Sequence, residues 1–439
     1  MMKGLKKIFR SIDFISNERV LWILFMLVSC SMFGQDNSKK IIDVADYEKW
    51  GQLENKSISL EGNWAVFEMR YDNGMDTLFV KNTRNNVTHY FPIGSNGKFG
   101  GELAFGCLDA NTNLTIVNLK TNERNVWSDI VSFDFVSKGK LLITKSNSNK
   151  LEIRNESNKV VSSLSNVVEF KIDELTDMLY YITSFGGDYT LGSLDLKTLK
   201  IREQYATKSK LYALTVAEYG KGFFLLEEGN DFTETKLHYY KDNKCESKIF
   251  DPQMFSNFPE NHGIVTRKSF KISVDGKRIF FGITKQINGK ANDIDVVEVW
   301  DTEDPLVFPK TKIDNPEQYS RLVVWFHEEN RFLEVTNSEL PYVQLNGDKT
   351  LALIYSPTAY APHFKKHGET DYYLYDLLKG TKMLFLEKQP SENYLLSFSP
   401  DGKYIAYFRN NNWWLYDVIT QTKFCIDSSK SIQWTSSDM

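Results

Sequence analysis

The chain has 439 residues, of which 41% are apolar, 14% aromatic and 25% charged, with a formal net charge of −4. This composition is typical of a folded protein with a real core and excludes wholesale disorder. The near-neutral charge argues against a nucleic-acid-binding protein, which needs a clustered basic face. Four cysteines are too few for a disulfide scaffold of this length. The 22 Tyr, 30 Phe and 9 Trp favour pleated strands over helices.

The first 34 residues have the composition of a secretory signal peptide. A basic stretch over residues 1–19 precedes nine apolar residues, 20–28, and then small and polar residues up to Gln35. Nine apolar residues are far fewer than the roughly 20 that a membrane-spanning helix needs. The order of a basic stretch, a short apolar stretch and a small-residue cleavage site therefore predicts export. An uncleaved membrane anchor is the alternative.

The cleavage site itself has two interpretations. Cleavage after Gly34 gives a soluble periplasmic or secreted protein, and this is the favoured interpretation because the segment resembles signal peptides of Bacteroidetes-type bacteria. The alternative is a lipobox ending at Cys30, in which that cysteine is lipidated and anchors the protein to a membrane.

From Gln52 onward, short alternating or apolar runs are separated by Asn, Gly, Asp, Lys and Ser, which is a strand-and-turn pattern. Two phrases recur in this part of the chain. The first consists of Ser, a spacer, an acidic residue and Gly, followed by an alternating strand, and its copies begin at Ser59, Ser273 and Ser399. Its Asp-Gly pairs predict two-residue hairpins with type I′ turns.

A second phrase, a strand followed by a polar turn and another strand, sets the length of the repeat. Successive copies lie 36 to 45 residues apart, except for one step of 96 residues. The equivalent positions of these copies are Val80, Val117, Ile153, Leu194, Tyr239, Val335, Tyr375 and Tyr416. The long step predicts an insertion or an extra unit around residues 283–330.

A period of about 40–50 residues with four short strands per unit is typical of a β-propeller. We therefore predict an all-β fold, a propeller of seven to eight four-stranded blades over residues 45–439. The repeat pattern does not decide whether the ring of blades is complete. Aromatic side chains are expected to fill the wedges between blades. A pair of β-sandwiches or a β-solenoid is the alternative.

The segment from Ser399 to Phe408, followed by Trp413 to Asp417, resembles a blade of the propeller of prolyl oligopeptidase (S9) family peptidases. The segments 46–50 and 296–305 resemble exported S9 peptidases of Bacteroidetes. The resemblance implies that the propeller limits the access of large proteins and helps to bind peptide. In that family a following α/β-hydrolase domain holds the catalytic serine in a Gly-x-Ser-x-Gly elbow. That motif does not occur in this sequence. The expectation is a truncated or split gene product, or a propeller that has lost its enzyme.

No catalytic residue, cofactor or metal ligand is therefore predicted. Glu227 and Glu228 end an aromatic strand, and paired glutamates on a propeller grip a peptide amino terminus in dipeptidyl-peptidase relatives; an ordinary charged strand end is the favoured interpretation. Trp413 and Trp414 are candidate peptide or carbohydrate contacts, with packing between blades as the favoured interpretation.

Two further clusters were weighed as ligand sites. His363 and His367 have the i, i+4 spacing of metal ligands on a helix, but the flanking Pro362 and Gly368 favour a loop. The acidic run over residues 293–304 could bind a cation or a basic peptide, although a solvated insertion is favoured.

The sequence thus predicts a non-catalytic, S9-like propeller with a peptide or protein ligand and no nucleic acid. The alternative is a stand-alone periplasmic or surface propeller, similar to TolB or WD40 repeats, that serves as a binding scaffold. A propeller enzyme with chemistry in its central channel is a third hypothesis, which would need converging carboxylates or a metal on the inner strands.

Overall fold

The computed structural model describes residues 43–47, 50–136, 139–241, 247–266, 270–286, 319–361 and 368–426. Two compact units divide the chain, one ending at Gly97 and the other beginning at Lys98. The predicted signal peptide, the possible lipidation site Cys30, the acidic run and the pair His363 and His367 lie outside the described residues.

The described residues contain one short α-helix, four 3₁₀ turns and 33 strands. The helix is α1 (Val44–Tyr47), and the 3₁₀ turns are Glu218–Gly220, Phe232–Glu234, Pro252–Met254 and Asn393–Leu395. The first sixteen strands are β1 (Gly51–Ile58), β2 (Trp64–Tyr71), β3 (Thr77–Asn82), β4 (Thr88–Pro92), β5 (Ser95–Gly100), β6 (Ala104–Leu108), β7 (Leu114–Asn118), β8 (Arg124–Trp127), β9 (Ile130–Val136), β10 (Leu141–Ser146), β11 (Leu151–Asn155), β12 (Val160–Leu164), β13 (Val167–Asp173), β14 (Met178–Phe185), β15 (Asp188–Asp195) and β16 (Ile201–Thr207). The remaining strands are β17 (Leu211–Val216), β18 (Phe223–Glu227), β19 (Lys236–Tyr240), β20 (Ser247–Phe250), β21 (His262–Val265), β22 (Lys271–Ile272), β23 (Arg278–Lys285), β24 (Arg321–Phe326), β25 (Arg331–Glu334), β26 (Tyr342–Leu345), β27 (Leu351–Tyr355), β28 (Glu369–Asp376), β29 (Thr381–Pro390), β30 (Leu396–Phe398), β31 (Tyr404–Arg409), β32 (Asn412–Asp417) and β33 (Thr422–Cys425).

These strands form eight sheets, numbered here 1 to 8 in chain order. Each is an antiparallel meander of four consecutive strands, except sheet 6, where β21 and β22 both pair with β23. Sheet 5 contains β17–β20, sheet 6 contains β21–β25, sheet 7 contains β26–β29 and sheet 8 contains β30–β33. Successive four-stranded meanders are the architecture of a β-propeller, so the predicted fold class is confirmed, with eight sheets in the described residues.

Within the second unit, neighbouring sheets share hydrophobic cores. The largest core joins sheets 5 and 6, and Phe250 of β20 contacts the rings of Phe281, Trp325 and Phe332 across the interface at centroid distances of 5.0, 5.5 and 5.7 Å. A second core joins sheets 7 and 8. A four-stranded sheet cannot bury both faces alone, and here large rings fill the space between sheets, as the aromatic content predicted.

The first repeated phrase folds into a turn between the first two strands of a sheet. In its sharpest copy, Ser399 Oγ accepts from Tyr404 N at 3.0 Å and donates to Asp401 at 2.7 Å, while Gly402 N donates to Ser399 O at 2.9 Å. Gly402 has φ of 72°, whereas Asp401 is not left-handed. The predicted two-residue type I′ turn is therefore wrong, because the serine side chain closes a loop of four residues in which the glycine takes the single positive φ.

The second repeated phrase ends in an Asn or Asp that closes the turn between the third and fourth strands. Asp417 Oδ1 accepts from the main-chain N–H groups of Ile419 and Thr420, both at 2.9 Å. The equivalent caps in other sheets are Asn82, Asn118, Asp195 and Asp376. One short polar side chain thus satisfies two orphaned donors at the same position of sheets 1, 2, 4, 7 and 8.

The irregular step in the repeat spacing arises within sheet 6. Val335, which was aligned with third strands, follows β25, the outer strand of that sheet; the third strand is β24. That alignment is wrong, because Phe332 to Val335 has the same apolar alternation as a third strand. Strands β23 and β24 pair directly, so the chain between them, most of it outside the described residues, connects two strands of one sheet.

Candidate functional site

A cavity of about 860 Å³ lies against β22 of sheet 6 and β26, the first strand of sheet 7, and we call it the β26 cavity. Residues 341–347, which include all of β26, form one wall. The other walls include Glu218 and Tyr219 of the turn after β17, Lys271 of β22 and Tyr319 before β24. In a propeller the first strands of the blades surround the central channel, which is where binding sites of this fold commonly lie.

Strand β26 presents a main-chain edge to this cavity. It pairs on one side with β27 and is the first strand in the order of its sheet. Asn346 N donates to Leu351 O at 3.0 Å, so the main chain of Asn346 faces β27. Main-chain groups of successive residues in an antiparallel strand point to alternate sides. Those of Gln344 therefore also face β27, and those of Val343 and Leu345 face away from it. The outward N–H and C=O groups of an edge strand are a template for pairing with another extended chain.

An ion pair spans part of the cavity wall. Lys349 Nζ donates to Glu218 Oε2 at 3.0 Å, and the same ammonium lies 5.4 Å from the ring centroid of Tyr219. The Lys349 side chain is 9% exposed and the Glu218 side chain 45% exposed. These residues are 131 positions apart and belong to sheets 5 and 7, which are not consecutive. The pair therefore joins two turns across the intervening sheet.

Both turns that hold this ion pair contain a side-chain-bearing residue in the left-handed region. Tyr219 has φ of 62° and ψ of 24°, and Lys349 has φ of 58°. Each such residue costs about 1–2 kcal/mol of backbone energy. Asn346 Oδ1 stabilises the second turn by accepting from Thr350 N and Leu351 N, both at 2.9 Å. Strained residues that meet in a cavity are typical of functional sites.

The turn around Lys349 is fixed from both neighbouring sheets. Arg278 of sheet 6 donates to the Asp348 carbonyl at 3.1 Å and pairs with Asp275 at 3.2 Å. On the other side, a Cβ at Gly347 would lie 2.0 Å from the Pro400 carbonyl oxygen of sheet 8. Only glycine allows this close approach of two backbones, so the position of Lys349 depends on three sheets.

Tyrosine rings form a further part of the cavity lining. The rings of Tyr319 and Tyr342 meet edge to face at a centroid distance of 6.0 Å, and Tyr342 in turn lies 5.5 Å from Tyr355. Tyr342 is 40% exposed and Tyr219 is 51% exposed. Such rings offer a large, rigid, amphipathic contact surface at low entropic cost.

The structure separates the two predicted glutamates and places them outside the lining of the β26 cavity. Glu228 is exposed. Glu227 is largely buried between sheets 4 and 5, where its carboxylate accepts from the hydroxyls of Tyr205 and Thr207 at 3.2 and 2.9 Å and lies 2.8 Å from His238 Nε2. Burial lowers the pKa of His238, so the imidazole is neutral near pH 7. Peptide contact at these glutamates stays a prediction.

The two predicted tryptophans lie on opposite faces of β32. Trp414 packs against the core of sheets 7 and 8, and its indole N–H donates to the Arg409 carbonyl at 3.1 Å. Trp413 lies 5.5 Å from the Phe408 ring on the other face. Neither lines the β26 cavity.

Other candidate chemistry is sparse in the described part of the chain. No group of three or more His, Cys, Asp and Glu there could hold a metal ion. Among the same residues, no helix is long and apolar enough to cross a bilayer. Burial raises the pKa of the Cys107 thiol to about 12, so this cysteine is inert at neutral pH.

Sequence analysis missed Glu218, Lys271 and Lys349. None of them belongs to a motif, and the two members of the ion pair are far apart in the chain. One local signal was available, because the alternating run 341–345 is followed at once by Asn346-Gly347, a strong turn pair.

Comparison with known proteins finds a family model that matches the last part of the chain. Residues 348–433 match the family model of the dipeptidyl peptidase IV (DPP IV) N-terminal region. This range includes β27–β33, and the resemblance predicted from Ser399 to Asp417 is confirmed there. No curated protein gives a significant match.

Several solved structures are similar at low identity. The β-propeller domain of the trilobed protease from Pyrococcus furiosus is 10% identical over 77% of this chain and 99% of that chain, with a TM-score of 0.35. The acylaminoacyl peptidase of Pyrococcus horikoshii is 9% identical over 84% of this chain and 57% of that chain, with a TM-score of 0.33. A eukaryotic initiation factor is 9% identical over 85% of this chain and 87% of that chain, with a TM-score of 0.45. The chain has the β-propeller fold, and its residues 348–433 are related to the N-terminal region of dipeptidyl peptidase IV.

Proposed function

We propose that the chain is a non-catalytic propeller that binds an extended peptide in the β26 cavity, along the edge of β26. The observation that carries this proposal is the outward main chain of Val343 and Leu345 in a cavity of about 860 Å³. Ligand sites commonly measure about 300–1,000 Å³. A peptide that adds as a strand gains main-chain hydrogen bonds from the edge and side-chain contacts at alternate positions.

The cavity wall suits such a ligand in two further ways. Tyr219, Tyr319 and Tyr342 offer ring faces to the side chains of a bound strand. The ion pair of Glu218 and Lys349 joins sheets 5 and 7 and lines the same cavity as the edge, a position from which it would favour entry of a single chain over a folded protein. This is the gating role that the S9 resemblance implies.

Export belongs to the same proposal. The basic and apolar order of residues 1–34 supports removal of a signal peptide after Gly34, followed by a propeller over residues 45–439. A peptide-binding propeller in the periplasm or outside the cell would meet extended or partly degraded chains. Lipidation at Cys30 would place the same propeller on a membrane surface.

The test removes one main-chain donor and leaves the fold intact. Val343→Pro deletes the outward N–H, which an edge strand tolerates because that group makes no ladder bond. Val343→Ala is the matched control, since it shortens the side chain and keeps the N–H. We expect Val343→Pro to weaken binding of a fluorescein-labelled heptapeptide of alternating Thr and Val by about tenfold, the equivalent of about 1.4 kcal/mol.

Binding is measured by fluorescence anisotropy, with the far-ultraviolet circular dichroism spectrum as the check on folding. Val343→Ala should bind within about twofold of the natural protein, since only a main-chain effect is proposed. Equal affinities of the proline and alanine variants, or no binding of the peptide to the natural protein at millimolar concentration, would overturn strand addition on β26.

A further inference from the structure

The ionisable groups in the β26 cavity do not balance in charge. Its lining contains one carboxylate, Glu218, and two ammonium groups, Lys271 and Lys349. Glu218 pairs with Lys349 at 3.0 Å. Lys271 has no carboxylate within 4.0 Å among the described residues. Among the described residues, the cavity therefore has one positive charge without a carboxylate partner.

The fold directs Lys271 toward this space. Strand β22 consists of Lys271 and Ile272, and Ile272 is fully buried in the core that sheets 5 and 6 share. Successive side chains of a strand point to opposite faces, so Lys271 points away from that core, and it lines the cavity. Its main chain is held by pairing with Phe280 of β23.

We infer that the peptide bound along β26 carries a carboxylate that pairs with Lys271. This inference rests on the proposed function and names the chemical class of its ligand: an extended peptide with an acidic side chain or a free carboxyl terminus near the bound segment. A lysine ammonium is a compact point charge, so it accepts either kind of carboxylate without the planar geometry that an arginine demands.

Lys271 is exposed to solvent within the cavity, so its pairing with a carboxylate resembles an ion pair on a protein surface. Exposed ion pairs contribute about 0.2–1 kcal/mol. A carboxylate beside Lys271 is therefore expected to improve affinity about two- to fivefold at low salt, and less at high salt because ions screen the pair.

The experiment uses four unlabelled heptapeptides with the same alternating Thr and Val core, and isothermal titration calorimetry measures their binding because fluorescein itself carries a carboxylate. The first is acetylated and amidated and has no charge. The second has a free carboxyl terminus, the third one internal Glu with an amidated end, and the fourth one internal Lys with an amidated end. We expect the second or third peptide, or both, to bind about two- to fivefold more tightly than the first at low salt. Comparison of these two tells which source of carboxylate Lys271 recognises.

Two variants of the full chain complete the design. Lys271→Glu should abolish the advantage of the carboxylate peptides and give it to the lysine peptide. Lys285→Glu is the matched control, because it makes the same change of net charge at an exposed position of the same sheet that does not line the cavity. It should leave the order of the four peptides unchanged.

The outcomes separate this inference from the proposed function. The carboxylate inference is wrong if all four peptides bind equally, or if Lys271→Glu leaves the order of their affinities unchanged. Strand addition still stands in either case if Val343→Pro weakens binding. If none of the four peptides binds, both fail. The inference is supported if the preference among the peptides reverses in Lys271→Glu and not in Lys285→Glu. A purely structural role of Lys271 would instead lower the affinity for all four peptides alike.

Discussion

Two glutamates of sheet 5 illustrate how the same side chain can serve structure in one place and a ligand site in another. Glu227 is 13% exposed and takes part in hydrogen bonds with Tyr205, Thr207 and His238. Glu218 is 45% exposed, and Lys349 is its hydrogen-bonding partner among the described side chains. A buried carboxylate that accepts from three protein donors fixes the interface between two sheets, whereas a half-exposed carboxylate with one partner leaves an oxygen for other contacts.

The contrast also concerns the distance over which each residue acts. Glu227 joins sheets 4 and 5, which are consecutive and share a hydrophobic core. Glu218 joins sheets 5 and 7, between turns that contain left-handed Tyr219 and Lys349. The first contact adds to an interface that already exists. The second links two turns of which the one around Lys349 is also held by Arg278 and Asn346, so its loss should alter the cavity more than the overall stability.

The largest effect is expected at Glu227. Glu227→Ala leaves two hydroxyls and the His238 imidazole without their acceptor in a buried place, which should lower the free energy of unfolding by about 2–4 kcal/mol. Glu228→Ala, at the exposed neighbouring position, should cost at most about 0.5 kcal/mol. Urea denaturation followed by tryptophan fluorescence measures both. Equal costs for the two variants would remove the distinction between these adjacent glutamates.

The next effect concerns pH. Burial lowers the pKa of His238, His262 and His327 in the folded chain. Below about pH 6.5 the unfolded chain gains protons that the folded chain does not, so stability is complete above that pH and falls as pH decreases toward the lowered values. Each histidine contributes at most about 1.4 kcal/mol per pH unit.

The midpoints of urea denaturation at pH 7.5, 6.5 and 5.5 test this expectation. These three pH values lie above the range in which ordinary carboxylates titrate. His238→Gln keeps a donor for Glu227 and should reduce the slope of stability against pH. The charged groups closest to His238 are Glu227 and Lys236, so Lys236→Met is a control for the local field. A stability that is flat between pH 7.5 and 5.5 contradicts the prediction.

The smallest effect on stability is expected at the cavity ion pair. Glu218→Gln should cost about 0.5–1.5 kcal/mol, because Lys349 is mostly buried and loses its ionic partner. Adding Lys349→Met should recover part of this loss, since the unpaired ammonium is then gone. A double-mutant cycle by urea denaturation measures the coupling. A cost as large as that of Glu227→Ala would show that both glutamates are structural.

Much of the fold followed from short stretches of sequence. The serine at the start of the first phrase and the Asn or Asp at the end of the second, for example Ser399 and Asp417, act on main-chain groups within five residues, so their spacing is enough to predict the turns. The type of turn was mispredicted because the serine hydroxyl widens the loop. The alignment of Val335 failed because inner and outer strands have the same alternation.

Sequence by itself determined the class of fold, the repeat length and the position of most turns, since all of these depend on local periodicity and on contacts between near neighbours in the chain. Tertiary structure alone decided which ionisable groups share a cavity. Glu218 and Lys349 are 131 residues apart, and Lys271 belongs to a third sheet. Such a site depends on how sheets pack around their shared cores, and no spacing within a single repeat encodes that geometry.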